Sequence, residues 1–228
     1  MYKSPSDIYV RHFFQAGKPQ THVRNAVILH AMSSDFGIHF IDTGFVKVYS
    51  LSDQGEEYVH IILGPGDIYP LVWAYLDIQP DIFYEALTDC LIWRLPKERF
   101  TQSVKTDARL GNAMAEHLAR QLFIYSDRIE NLEYKKPSER LAYRLLFLAN
   151  RFGVKRGRYV MIDANLTHEV IANSINLARE TVSREFERLA GEGLVDRVDH
   201  KIIIKDMTGL NRKLSTPNGL RYWQLEPV

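Results

Sequence analysis

Residues 166–189 read LTHEVIANSINLARETVSREFERL, and the rest of this 228-residue chain takes its meaning from them. Thr167 is a good N-cap, since its hydroxyl can accept from the free amides of a first helical turn, and Val170, Ile171 and Ile175 follow at helical spacing. Asn176 is the natural break, because after glycine asparagine best tolerates the left-handed backbone of a tight interhelical turn. A second helix then places Val182, Phe186 and Leu189 on one side, with Arg179, Glu180, Ser183, Arg184 and Glu187 on or near the other. The polar side has no core to serve.

Arg179-Glu180-Thr181-Val182-Ser183-Arg184 resembles the opening of the recognition helix in bacterial regulators related to the cyclic-AMP receptor protein and the fumarate-nitrate regulator. The resemblance implies a helix-turn-helix in which Arg179, Glu180, Ser183 and Arg184 meet DNA, with Thr181 and Thr167 beside them. The chemistry suits the role, since guanidinium donates twice to guanine O6 and N7 and carboxylate accepts from cytosine N4. It also implies half-sites of the TGTGA or TTGAT kind, about one DNA turn apart. The chain departs from the family pattern at Asn176, where glycine is usual, and at Ala178, where a serine or threonine usually caps the second helix. Neither change removes a base-reading group. The competing explanation is that Glu180 and Arg184 form an ordinary i,i+4 surface pair.

Composition, 46% hydrophobic and 25% charged, is that of an ordinary globular protein with room for two domains. A single cysteine, Cys90, excludes an intrachain disulfide and a cluster held by several cysteines. No basic-then-apolar signal opens the sequence and no uninterrupted apolar run approaches a membrane span, so a cytoplasmic protein with no membrane partner is expected. Net charge is only +1, but residues 1–136 carry 14 Lys and Arg against 17 Asp and Glu, while residues 137–228 carry 15 against 11. The basic excess lies with the helix-turn-helix, as contact with phosphate requires.

Upstream, Ile38 to Ile41, Phe45 to Tyr49, Tyr58 to Leu63, Phe83 to Ala86 and Leu91 to Leu95 are short β-prone runs separated by Thr43-Gly44, Asp53-Gln54-Gly55 and Gly64-Pro65-Gly66-Asp67. This spacing predicts a small barrel or roll. The run from Phe40 to Tyr49, with Gly64-Pro65-Gly66-Asp67 after it, is similar to the jelly-roll, cyclic-nucleotide-binding-like sensor domain of the same family. Before about Phe36 only scattered apolar positions such as Phe13, Phe14, Val27 and Ile28 are legible.

From about Thr106 to Lys135 the pattern is that of one long amphipathic helix. Met114, Leu118, Leu122, Tyr125, Ile129 and Leu132 lie along one side; Leu110, His117, Gln121, Ile124 and Arg128 form a second, partial stripe. One stripe is expected to face the chain's own roll, and the resemblance implies that the other meets the same helix of a second subunit. The alternative is a single broad face buried within one chain. Lys135-Lys136-Pro137-Ser138 reads as a hinge, with Ser138 capping a helix that ends near Gly153. Tyr159 to Ile162 reads as a strand, and residues 194–197 and 201–204 as a hairpin wing. The tail from Asp206, with Pro217, Gly219 and Trp223, receives no function.

The expected architecture is therefore α+β: a β-roll over residues 1–105, a long dimerisation helix and hinge over 106–136, and a winged helix-turn-helix over 137–228. No metalloprotease, P-loop, nucleophile-elbow or dinucleotide fingerprint occurs, and an enzyme, a cofactor and a metal site are not expected. His60 and His117 read as structural histidines, and Cys90, flanked by Leu91, Ile92 and Trp93, as buried and inert.

Cyclic-nucleotide sensors of the family hold the phosphate with an arginine, yet Val48 to Trp93 contains no lysine or arginine, and Ile68 to Leu76 is apolar and aromatic. Two readings follow. The pocket is filled by its own side chains, or it takes an uncharged effector of unknown identity against Tyr69, Trp73 and Tyr75. The function expected is that of a homodimeric transcription regulator on a pseudo-palindromic operator, with RNA polymerase as partner. A winged helix serving as a protein-interaction module is the alternative; it has no need of Arg179 and Arg184 together at a helix start.

Overall fold

The computed structural model describes residues 5–33, 37–78, 81–133, 136–198 and 201–215. The chain forms two compact units, the first running to Phe123 and the second starting at Ile124.

The first unit opens with helix α1 (Pro5–Gln15), followed by strands β1 (Lys18–His22), β2 (Val27–Leu29), β3 (Ile38–Thr43), β4 (Val46–Leu51), β5 (Glu57–Leu63) and β6 (Ile68–Tyr69). Helix α2 (Leu71–Leu76), strands β7 (Phe83–Ala86) and β8 (Cys90–Leu95), helix α3 (Lys97–Thr106) and the long helix α4 (Ala108–Glu133) follow. Two four-stranded antiparallel sheets, ordered β1-β8-β3-β6 and β2-β7-β4-β5, make the roll. All five β-prone runs are strands.

Three elements ahead of Phe36 were not legible. The segment α1 joins the core by burying Val10 and Phe14, and Phe14 stacks on Phe40 with ring centroids 5.2 Å apart. The polar strand β1 carries Pro19 and lies at a sheet edge, where a missing amide is tolerated; its register with β8 sets His22 opposite Cys90. Strand β2 is three residues long and also lies at an edge. Arg11 fastens α1 to the roll by donating to the buried Asp42 carboxylate at 2.7 and 3.2 Å, and the Trp93 indole donates to the same group at 3.2 Å.

The long helix begins at Ala108, close to the start that its periodicity implies. Residues 97–106 form the separate helix α3, and Asp107, in an extended conformation, interrupts the chain before accepting from the amides of Arg109 and Leu110 to start α4. Leu110, Ala113 and Met114 join Val10, Ile38, Phe40, Ile68, Leu95 and Phe100 in the roll core. His117 is also buried, and Gln121 donates to Asp67 at 3.3 Å. The second stripe thus does face the chain's own roll as far as Gln121. Met114 corrects the assignment of the other stripe: it is 2% exposed in the roll core and is not available to a second subunit. Leu118, Leu122, Tyr125 and Ile129 are 42, 69, 44 and 64% exposed, and Leu132 is half-buried.

The second unit contains α5 (Pro137–Phe152), β9 (Gly153–Arg156), β10 (Tyr159–Ile162), α6 (His168–Ile175), α7 (Arg179–Gly191), β11 (Val195–Val198), β12 (Lys201–Ile204) and α8 (Met207–Asn211). Lys136, not Ser138, is the N-cap of α5: Pro137 occupies the first turn, where its missing amide removes nothing and its fixed φ suits the helix. Leu141, Leu145, Leu146 and Leu148 bury completely, so α5 is the central helix of this unit. The sheet order is β11-β12-β10-β9, with strands β11 and β12 as the wing. Pro217, Gly219 and Trp223 lie outside the described residues, as do Asp199 and His200.

Candidate nucleic-acid interface

Thr167 caps α6 as its residue type requires, accepting from the Val170 amide at 3.1 Å. The turn falls at Asn176, whose φ of 51° and ψ of 54° are left-handed, and its amide and that of Leu177 both return to the Ala172 carbonyl. Ala178 stands at the N-cap of α7 with extended angles and no side-chain hydrogen bond. The first-turn amides of α7 therefore lack a capping side chain, and the helix is positioned by packing: Val182, Phe186 and Leu189 are 0, 5 and 0% exposed.

The charges of α7 divide along its length. Toward its C-terminus, Arg188 is held by Glu185 at 2.9 Å and by Glu192 at 2.9 Å, and Glu192 also pairs with Lys213. Toward its N-terminus, Arg179, Glu180 and Arg184 are exposed and make no side-chain hydrogen bond or ion pair among the described residues. Glu180 and Arg184 do not form the i,i+4 pair that their spacing permits. Uncommitted charges at the opening of a helix are suited to meeting the donor and acceptor pattern of a groove.

Ser183 stands apart from these three. Its hydroxyl lies 3.2 Å from Nδ1 of His168, and the His168 ring packs on Phe186 with centroids 5.1 Å apart. Burial, with Arg197 and Arg179 nearby, holds the His168 imidazole below its ordinary value, against an upward pull from Glu187. Arg197 donates to the Leu166 carbonyl at 3.0 Å, fastening β11 to the entry of α6. Thr181 is half-buried and Thr167 is engaged in its cap. His168 and Arg197 escaped the reading of the sequence because each acts on residues 15 to 31 positions away.

The aromatic residues proposed for an effector do not line one pocket. Tyr69 is buried between the two sheets of the roll, 3% exposed. Trp73 packs against the core with the Lys97 ammonium over its ring at 4.6 Å, and Tyr75 is 42% exposed, edge-on to Phe100. A cavity of about 20 Å3 lies instead among α1, β6 and α4, bordered by Asp7, Phe40, Ile68, Met114, His117 and Arg120. His60 bonds Ser50 at 2.9 Å, and Cys90 is buried with its thiol pushed up, chiefly by desolvation. Among the described residues no group of three or more His, Cys, Asp or Glu side chains is arranged to hold a metal, and no helix is long and apolar enough to cross a membrane.

A β-roll followed in sequence by a long helix and a winged helix-turn-helix with free charges on its second helix defines a DNA-binding transcription regulator. A cyclic nucleotide-binding domain model matches residues 19–107 and a Crp-like helix-turn-helix domain model matches residues 139–213. The chain is 26% identical over 198 residues to the Global nitrogen regulator of Nostoc sp., across 86% of this chain and 89% of that protein. It is 23% identical over 176 residues to the CRP-like cAMP-activated global transcriptional regulator of Mycobacterium tuberculosis, across 77% and 79%. Its fold is similar to FixK2 from Bradyrhizobium japonicum, with a TM-score of 0.75 at 19% identity over 88% of this chain and 98% of that one. The chain belongs to the CRP/FNR family of transcription regulators.

Proposed function

We propose that the protein is a sequence-specific regulator that binds a pseudo-palindromic operator as a homodimer, laying α7 in the major groove of each half-site. The observation that carries this is the set of three charged side chains without an ion pair among the described residues, Arg179, Glu180 and Arg184, on the opening turns of a helix whose C-terminal Glu185 and Arg188 are paired within the chain. Pairing through α4 is supported by Leu118, Leu122, Tyr125 and Ile129, which lie three to four residues apart and are each more than two-fifths exposed in a single chain. RNA polymerase is the partner that the family membership implies, and a DNA target places the protein in the cytoplasm.

The roll does not fit a cyclic nucleotide. A buried phosphate needs a cation, and none is supplied between Val48 and Trp93, where the interior is occupied by Tyr69 stacked on His39 and Tyr84. Regulation by the abundance of the protein, without a bound nucleotide, is the corresponding mode of control. The test is selection of duplexes from a randomised pool by the full-length protein. Enrichment of two inverted half-sites about one helical turn apart is expected. Recovery of unrelated sequences with equal affinity would favour the protein-interaction reading.

A further inference from the structure

We propose that His168 is a positioning residue for DNA recognition, a neutral imidazole that holds α7 at a fixed rotation through Ser183, so that Ser183 serves the interior of the motif and not the bases. This rests on the DNA-reading function proposed above.

The geometry is specific. His168 is the first residue of α6 and Ser183 lies one turn into α7, three residues after Glu180 and directly before Arg184. Fastening Ser183 to α6 at 3.2 Å therefore sets the direction in which the adjacent free charges project. No capping side chain competes for that role, since Ala178 has none to offer. Val182 and Phe186 supply packing, which resists separation of the two helices more than it resists rotation of one on the other. A hydrogen bond adds direction.

The protonation state follows from the surroundings of the other ring nitrogen. His168 Nε2 is buried and has no hydrogen-bond partner. A buried N–H without an acceptor is rarer and more costly than an unused lone pair, so the proton belongs on Nδ1, donated to Ser183 Oγ, with Nε2 bare. Adding a second proton would create an unsatisfied N–H in the interior. It would also place a cation near Arg179 and Arg197, with Glu187 as the one nearby counter-charge and Glu169 exposed on its own helix. Protonation leaves the Nδ1–H donor in place but drives the charged ring toward solvent, so the contact is intact through the ordinary imidazole range and weakens only as pH falls through the lowered folded value. That sign opposes the general behaviour of DNA-binding surfaces, where acid adds cations and tightens binding.

The experiment uses the full-length protein and a duplex that it enriches from a randomised pool at about pH 7.5, with a random duplex as reference. The quantity read is the ratio of the two affinities, which removes the general electrostatic term. The ratio is expected to hold down to about pH 6.5 and to fall, by about fivefold or more, only as His168 takes up its second proton below that. His168→Asn, whose amide nitrogen sits where Nδ1 does but does not titrate, should keep the ratio at the higher pH within about threefold and make it level with pH. Ser183→Ala should lower the ratio without relaxing the choice at any one base pair on reselection. A ratio that is level or rises toward acid in the unmodified protein, or Ser183→Ala relaxing a single position, would overturn the proposal. Nitrogen-15 spectra of the His168 ring judge it independently of DNA and of whether the variants fold: an Nδ1–H tautomer supports it, an Nε2–H tautomer overturns it. Failure to enrich any duplex would instead overturn the DNA-reading function itself.

Discussion

Tyr69 lies flat against Tyr84, ring centroids 4.6 Å apart and planes 14° from parallel, and it also stacks on His39 at 5.2 Å. Tyr69 and His39 belong to one sheet of the roll and Tyr84 to the other, so the stack fills the space between them. Desolvation leaves His39 neutral, its imidazole pushed down to about 3, and gives the stack no cation with which to hold a phosphate. Calorimetric titration with cyclic AMP is therefore expected to be silent. Micromolar binding together with tighter DNA affinity would refute it.

The same stack makes a stability prediction. The Tyr69 hydroxyl is buried without a hydrogen-bond partner, so Tyr69→Phe should be neutral or stabilising by about 1 kcal/mol, against the usual expectation for a core tyrosine. Denaturant unfolding of both proteins decides it. A loss of about 2 kcal/mol would show that the hydroxyl has an unrecognised partner.

Dimerisation is predicted to run through the exposed stripe of α4. Because Leu122 and Ile129 are 69 and 64% exposed in one chain, Leu122→Asp or Ile129→Asp should yield folded monomers. Sedimentation with circular dichroism separates that outcome from unfolding. Met114→Asp, by contrast, should unfold the first unit, since it buries a carboxylate in the roll core.

Readout should divide by residue. Arg184→Ala or Glu180→Ala is expected to cost roughly 1 to 3 kcal/mol on the enriched duplex while leaving affinity for random DNA little changed. An equal loss on both duplexes would make the side chain a phosphate contact.

Gly44 is predicted to be intolerant of any side chain. Its φ is 91°, and a Cβ there would stand 2.4 Å from the Asp89 carbonyl and 2.6 Å from the Cys90 sulfur. Strain and collision act together, and Gly44→Ala should destabilise the roll by about 2 kcal/mol or more in thermal or denaturant unfolding. Gly55, whose φ is 80° with nothing within 4 Å, should show only the smaller backbone term on the same substitution.

The helix-turn-helix was legible in the sequence because everything that makes it is local. A threonine cap reaches an amide three residues on, an asparagine supplies the left-handed turn, and apolar side chains three to four apart bury one face; each of these is settled within a single turn of helix. Which side chains of α7 would be exposed was also local, since the helical period sorts exposed from buried; that Glu180 and Arg184 stay apart while Arg188 is paired was decided by the structure. The five apolar strands and the glycine turns of the roll followed from period and turn chemistry in the same way.

Tertiary structure decided the rest. Strand β1 is polar and carries a proline, and it exists because β8, some 70 residues later, offers it an edge. Met114 and Leu118 are neighbours on one helical stripe, yet one is swallowed by the roll core and the other faces outward, because the roll covers only the first turns of α4. Tyr69, Trp73 and Tyr75 read as one aromatic cluster, but β6 gives way to α2 between them and sends them to three environments. Ser183 looked like its exposed neighbours until His168, 15 residues away, was found against it. Except at the junction of β6 and α2, the deciding partner is distant in the chain, and periodicity, which records only what a residue does to its near neighbours, carries no trace of it.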